Sequence, residues 1–163
     1  MPLPAIRTAR PPRVLLAAAL MGATLVAGCS STGGSGGGGG LAPGLVAPMD
    51  QPGARLDEAA AFGILNQYRA TRGVPAFTAD PALTAQAQQL AQAYAASGTP
   101  PAVPPGLGSR FSAGYTTFAE TFSGWRSSPA DAQALAAGQR AGLAVLYDPG
   151  SEYGTYWVLL TAG

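Results

Sequence analysis

The chain is expected to adopt an α+β fold: a three-layer α-β-α sandwich with a small antiparallel sheet covered by helices. Three features of the sequence predict it. The segment 124–163 ends in two apolar runs, Ala141 to Tyr147 and Thr155 to Thr161, joined by the turn-forming stretch Asp148-Pro149-Gly150-Ser151-Glu152-Tyr153-Gly154. Both runs are apolar at alternating and at intervening positions, so both faces of the hairpin require cover. Upstream, apolar residues recur at helical spacing in several segments, and these supply the cover.

The elements follow in chain order. Arg7, Arg10 and Arg13 precede an uncharged apolar run, Val14 to Ala27, too short to span a bilayer comfortably and laid out as a secretory signal. It closes in Leu25-Val26-Ala27-Gly28-Cys29, which resembles the lipobox of bacterial lipoproteins. That resemblance implies cleavage before Cys29 and acylation of its thiol and amino group, with residues 1–28 as signal peptide. Cys29 is the single cysteine, so no disulfide framework enters the reading. Residues 29–54 are rich in Gly, Ser and Pro with few large side chains, and read as a lipidated cysteine followed by a tether. Residues 55–163 then form the folded domain.

Asp57 and Glu58 open a first helix carrying Ala61, Phe62, Leu65 and Tyr68 on one side and stopped by Gly73. Asp80 before Pro81 starts a second, with Leu83, Ala87, Leu90, Ala91 and Tyr94 as its stripe and Gly98 as its end. Four prolines make 99–108 an extended crossing loop. Tyr115, Phe118, Phe122 and Trp125 recur at helical spacing and predict a third helix whose aromatics join the core. Ser128-Pro129-Ala130-Asp131 has the form of a capping box for a short fourth helix.

The order and spacing of these pieces resemble the CAP superfamily (cysteine-rich secretory proteins, antigen 5 and plant pathogenesis-related proteins), in its short bacterial branch. The likeness rests on Leu65-Asn66-Gln67-Tyr68-Arg69, on Ser112-Ala113-Gly114-Tyr115 with Ala119-Glu120, on Gly124-Trp125-Arg126 with Ser128-Pro129, and on Arg140 to Ala144 with Tyr156-Trp157. It implies an α-β-α sandwich. In metal-binding members of the family, histidines and glutamates converge on a central cleft. This chain has no histidine. Ser109-Arg110 stands where close bacterial relatives have Glu-Asn, and Asp131 where they have histidine after Ser-Pro. Ser109, Arg110, Glu120 and Asp131 are therefore the candidate residues of a degenerate cleft, with no metal and no cofactor expected.

The remaining chemistry narrows the function. Zinc needs three or four ligands from Cys, His and carboxylates, and the carboxylates here are scattered. No histidine or lysine is present to activate a serine. Asp148, Ser151 and Glu152 read as turn residues rather than calcium ligands. Removal of residues 1–28 takes away three arginines and leaves six against eight acids, a net of −2 with no basic cluster, which excludes a nucleic-acid binder. The expectation is a non-catalytic binding or structural module, held in the cell envelope by a lipid anchor on Cys29 and meeting an unidentified envelope ligand or protein. Ser30 after the cysteine points to an outer membrane facing the periplasm where the host has one. The alternative is an envelope hydrolase with Glu120 and Asp131 as an acid pair.

Overall fold

In the computed structural model, residues 40–163 are described; the expected signal segment, Cys29 and the first part of the tether lie outside them. Among the described residues nine elements follow in order: α1 (Pro43–Val46), α2 (Glu58–Thr71), β1 (Thr78–Ala79), α3 (Pro81–Ser97), β2 (Gly108–Ala113), α4 (Phe118–Ser127), α5 (Pro129–Leu135), β3 (Arg140–Tyr147) and β4 (Thr155–Ala162). The strands form one sheet in the order β1-β3-β4-β2.

The β3–β4 hairpin is its centre, antiparallel with Leu143 opposite Leu159 and Val145 opposite Trp157. Side chains alternate across the sheet, so the register sorts them into two cores. On one face Leu143, Trp157 and Leu159 pack with Phe62 and Leu65 of α2, Phe118, Phe122 and Trp125 of α4, and Leu135 of α5. On the other, Ala144, Val158 and Leu160 meet Leu83, Ala87 and Ala91 of α3, while Tyr156 meets Tyr94 and Ala95. The three-layer sandwich is thus built on a strand, β4, that is buried on both sides along its length.

Gly142 explains how α3 comes so close. A Cβ there would collide with the backbone of Leu83 and Thr84, so the strand is bare where the first turn of α3 crosses it. The helix itself begins where Asp80 Oδ1 accepts from the N–H groups of Ala82 and Leu83 at 2.9 and 3.3 Å, and ends at Gly98 with φ +68°.

Three expectations are corrected. The sheet is mixed rather than purely antiparallel, because β1 adds to β3 in parallel and β2 pairs antiparallel with β4 at the opposite edge. Two residues in β1, and the Gly-Ser-Arg-Phe-Ser-Ala composition of β2, carry little strand signal of their own. The third helix starts at Phe118, not Tyr115, because Thr117 and Glu120 close a capping box; Tyr115 precedes the helix and is 40% exposed. Finally, the stretch expected as tether up to residue 54 contributes α1 and buries Leu45 and Met49 in the larger core. Met49 N–H also donates to Thr116 O at 2.7 Å.

Arg69 is the one fully buried charge of this core, 1% exposed. Its guanidinium donates to the carbonyls of Pro75 (2.6 Å), Leu135 (2.8 Å), Ala137 (3.3 Å) and Gly138 (2.7 Å) and lies 3.7 Å from the centroid of the Phe77 ring. Asn66 makes two further bonds, from its Nδ2 to Phe77 O (3.2 Å) and from Phe77 N–H to its Oδ1 (2.7 Å). Both side chains bond to backbone and fasten the end of α2 to the chain around it.

Candidate functional site

The four cleft residues do not share one site. Ser109 and Arg110 are neighbours on the edge strand β2, paired with Leu160 and Leu159 respectively. Residues directly opposite in an antiparallel pair share a face. Ser109 therefore belongs to the α3 side and Arg110 to the side of α4 and α5.

Arg110 reaches α5. Its Nε stands 3.1 Å from Asp131 Oδ1, with side-chain exposures of 25% and 34%, although the N–H is not aligned for a hydrogen bond. Its other nitrogens donate to Ser109 O and, at 3.4 Å, to Ala130 O. Asp131 also supplies the backbone N–H that Ser128 Oγ accepts at 3.5 Å, which caps α5. A fixed cation and its counter-ion thus face each other between β2 and α5.

Glu120 faces elsewhere. Its Oε2 accepts from Thr117 N–H and Oγ1, both at 3.0 Å, and from Thr116 N–H and Oγ1, both at 3.2 Å. These donors, the Thr117 hydroxyl first, hold the carboxyl below its ordinary pKa. That is the charged, accepting half of a capping box. Glu120 lies in the first turn of α4 and Asp131 beyond its end; the eight residues to Ser128 alone span roughly 12 Å at 1.5 Å each. Neither acid is free or placed as a partner for the other. Among the described residues no group of three Asp, Glu, Cys or His side chains lies close enough to hold a metal ion.

Asp148 belongs to the β3–β4 turn: its Oδ1 accepts from Gly150 N–H at 3.0 Å and its carbonyl from Ser151 Oγ at 2.6 Å. Both tryptophans are buried, Trp157 at 0% and Trp125 at 2% exposed. Their indole N–H groups donate to Tyr115 O (2.9 Å) and Phe111 O (3.4 Å), which ties β2 and the loop after it to the core.

Two grooves lie along α1, α2 and α4. A groove of about 490 Å³ is lined by Leu41, Val46, Ile64, Phe122, Arg126 and Glu120. A second, of about 600 Å³, continues past Ile64, Phe122 and Arg126 to Tyr68 and Thr71. Tyr68 meets Phe122 edge-on at 5.8 Å between centroids. Arg72 and Arg126 flank the pair, each guanidinium about 6 Å from a ring, at 6.0 Å for Tyr68 and 5.9 Å for Phe122. The sequence reading missed this groove. Its legible signals were Ile64, an apolar residue off the first helix's stripe, and Leu41 and Val46 in a stretch otherwise poor in large side chains.

The model of the CAP, cysteine-rich secretory protein family matches residues 62–160, and the chain belongs to that family. Among solved structures it is similar to an outer surface protein of Borrelia burgdorferi, with 15% identity, a TM-score of 0.49, and coverage of 64% of this chain and 90% of that one. It is also similar to MpPR-1i, with 18% identity, a TM-score of 0.45, and coverage of 63% and 82%. No curated protein matches it.

Proposed function

We propose that this is a lipid-anchored CAP-domain protein of the bacterial cell envelope, acting as a non-catalytic binding module through the groove of α1, α2 and α4. The observation that carries this reading is the engagement of the polar groups. Arg110 is paired with Asp131 and Glu120 Oε2 is held by Thr116 and Thr117, so these two acids serve packing and capping. No imidazole supplies a proton acceptor near neutral pH. What stays open is a groove with apolar walls, with Arg126 and the capping Glu120 on its lining and Arg72 beside Tyr68, which suits binding. The anchor reading rests on Cys29 and the signal before it.

Two measurements test it. Mass spectrometry of the chain purified from membranes should show cleavage before Cys29 and acyl mass on it. Titration with Zn²⁺ by calorimetry and assays on peptidoglycan and ester substrates should show neither stoichiometric binding nor turnover. Turnover abolished by Glu120→Gln would overturn the non-catalytic reading and put the hydrolase in its place.

A further inference from the structure

We propose that the groove face is also a membrane contact: Leu41, Val46 and Ile64 lie against the acyl boundary of the bilayer, and Arg126 and Arg72 pair with the phosphates of anionic phospholipids. The inference rests on the lipid-anchor reading above.

Four large apolar side chains are exposed among the described residues. Two, Tyr115 and Tyr153, carry hydroxyls that suit water. The other two, Leu41 and Val46, are 54% and 48% exposed and stand together on the wall of one groove with Ile64. A small domain has no packing reason to leave two aliphatic side chains beside an open apolar groove. Charge complements the apolar surface. The mature chain carries a net of −2, yet this face presents Arg126 and, beside Tyr68, Arg72, against the one carboxylate of Glu120, whose Oε2 is bound by Thr116 and Thr117. Arginine stems lie along apolar surface while their heads reach phosphate, and the planar head can bond it twice.

The chain's own connectivity selects a bilayer as the occupant. Only residues 30–40 separate Cys29 from Leu41. Even fully stretched, at ~3.5 Å per residue, that length is about 40 Å. An acyl group on Cys29 therefore confines Leu41 to within about 40 Å of the lipid surface, and a bilayer is the apolar phase always within its reach. No helix among the described residues is long and apolar enough to cross a membrane, so the contact is interfacial, and its effect is to fix which side of the domain faces the lipid.

The test uses the full lipidated chain, in which acylated Cys29 leaves no free thiol. Val46→Cys and, on the α3 side, the exposed Gln89→Cys are each labelled with an environment-sensitive fluorophore. The proteins are reconstituted in vesicles of phosphatidylcholine with a minor share of phosphatidylglycerol, with and without brominated acyl chains. The label at 46 should shift to the blue and lose emission to the brominated lipid, and the label at 89 should do neither. Arg126→Glu combined with Arg72→Glu should return the label at 46 toward its value in water. Equal quenching at both positions, or a label at 46 that stays in water, overturns the contact while leaving the anchor intact. A label at 46 that is shielded without lipid quenching, in a chain that sediments as a dimer in detergent, assigns the face to a second copy instead. Mass spectra without acyl groups, and labelling of the parent chain at Cys29, would overturn anchor and contact together.

Discussion

Replacing Arg69 with methionine should be among the most damaging single changes outside the hydrophobic residues. The guanidinium is 1% exposed and makes three bonds of 2.6–2.8 Å to the carbonyls of Pro75, Leu135 and Gly138. Hydrogen bonds to a charged group contribute ~1.5–3 kcal/mol each, so the three together give roughly 5–9 kcal/mol. Burying the charge costs several kcal/mol, which methionine recovers. The balance is a loss of about 3 kcal/mol, from a total that for such domains is ~5–15 kcal/mol. For a domain of this size that corresponds to a fall of roughly 10 °C in Tm. Lysine keeps the charge but offers a point donor in place of a planar fork, and should recover only part of the loss. Urea unfolding followed by the fluorescence of Trp125 and Trp157 reads the change, since both indoles are buried. A methionine variant within ~0.5 kcal/mol of wild type, the scale of ordinary surface changes, would refute the reasoning.

Trp157→Ala should cost ~3–5 kcal/mol, as the indole is wholly buried and bonds to Tyr115 O; an unchanged calorimetric melt would remove Trp157 from the core. Gly142→Ala should destabilise by at least the ~1–3 kcal/mol typical of overpacking, because the new methyl meets backbone of α3. Gly63→Ala, in a helix interior with nothing nearby, should instead stabilise by ~0.5–1 kcal/mol; equal thermal shifts in the two variants would contradict the close approach of α3 to β3. The Glu120 carboxyl is held below its ordinary value of 4.5, so the unfolded chain takes up the proton first as pH falls. Its contribution is present at neutral pH and is lost as pH drops through and below that value. Thr117→Ala should cost ~1 kcal/mol at neutral pH and flatten this acid limb; parallel limbs in the two proteins' urea midpoints against pH would count against the cap.

Much of the fold was legible in the sequence where the signal is local. Asp80-Pro81 and Gly98 mark both ends of α3, Ser128-Pro129 starts α5, and the two-sided apolar runs of β3 and β4 required helices above and below. Capping and periodicity act within a few residues of chain, so they can be read without the fold. Tertiary structure decided what depends on distant partners. The edge strands β1 and β2 exist because β3 and β4 offer them ladders. Leu45 and Met49 leave the expected tether because the core has room for them. The cleft residues parted for the same reason: adjacency on β2 sends Ser109 and Arg110 to opposite faces, and helix α4 carries Glu120 away from Asp131. Composition alone disclosed that histidine chemistry is absent. That Arg110 pairs with Asp131, and that a groove opens along α1, α2 and α4, was fixed only by packing, which brings together side chains that no local pattern relates.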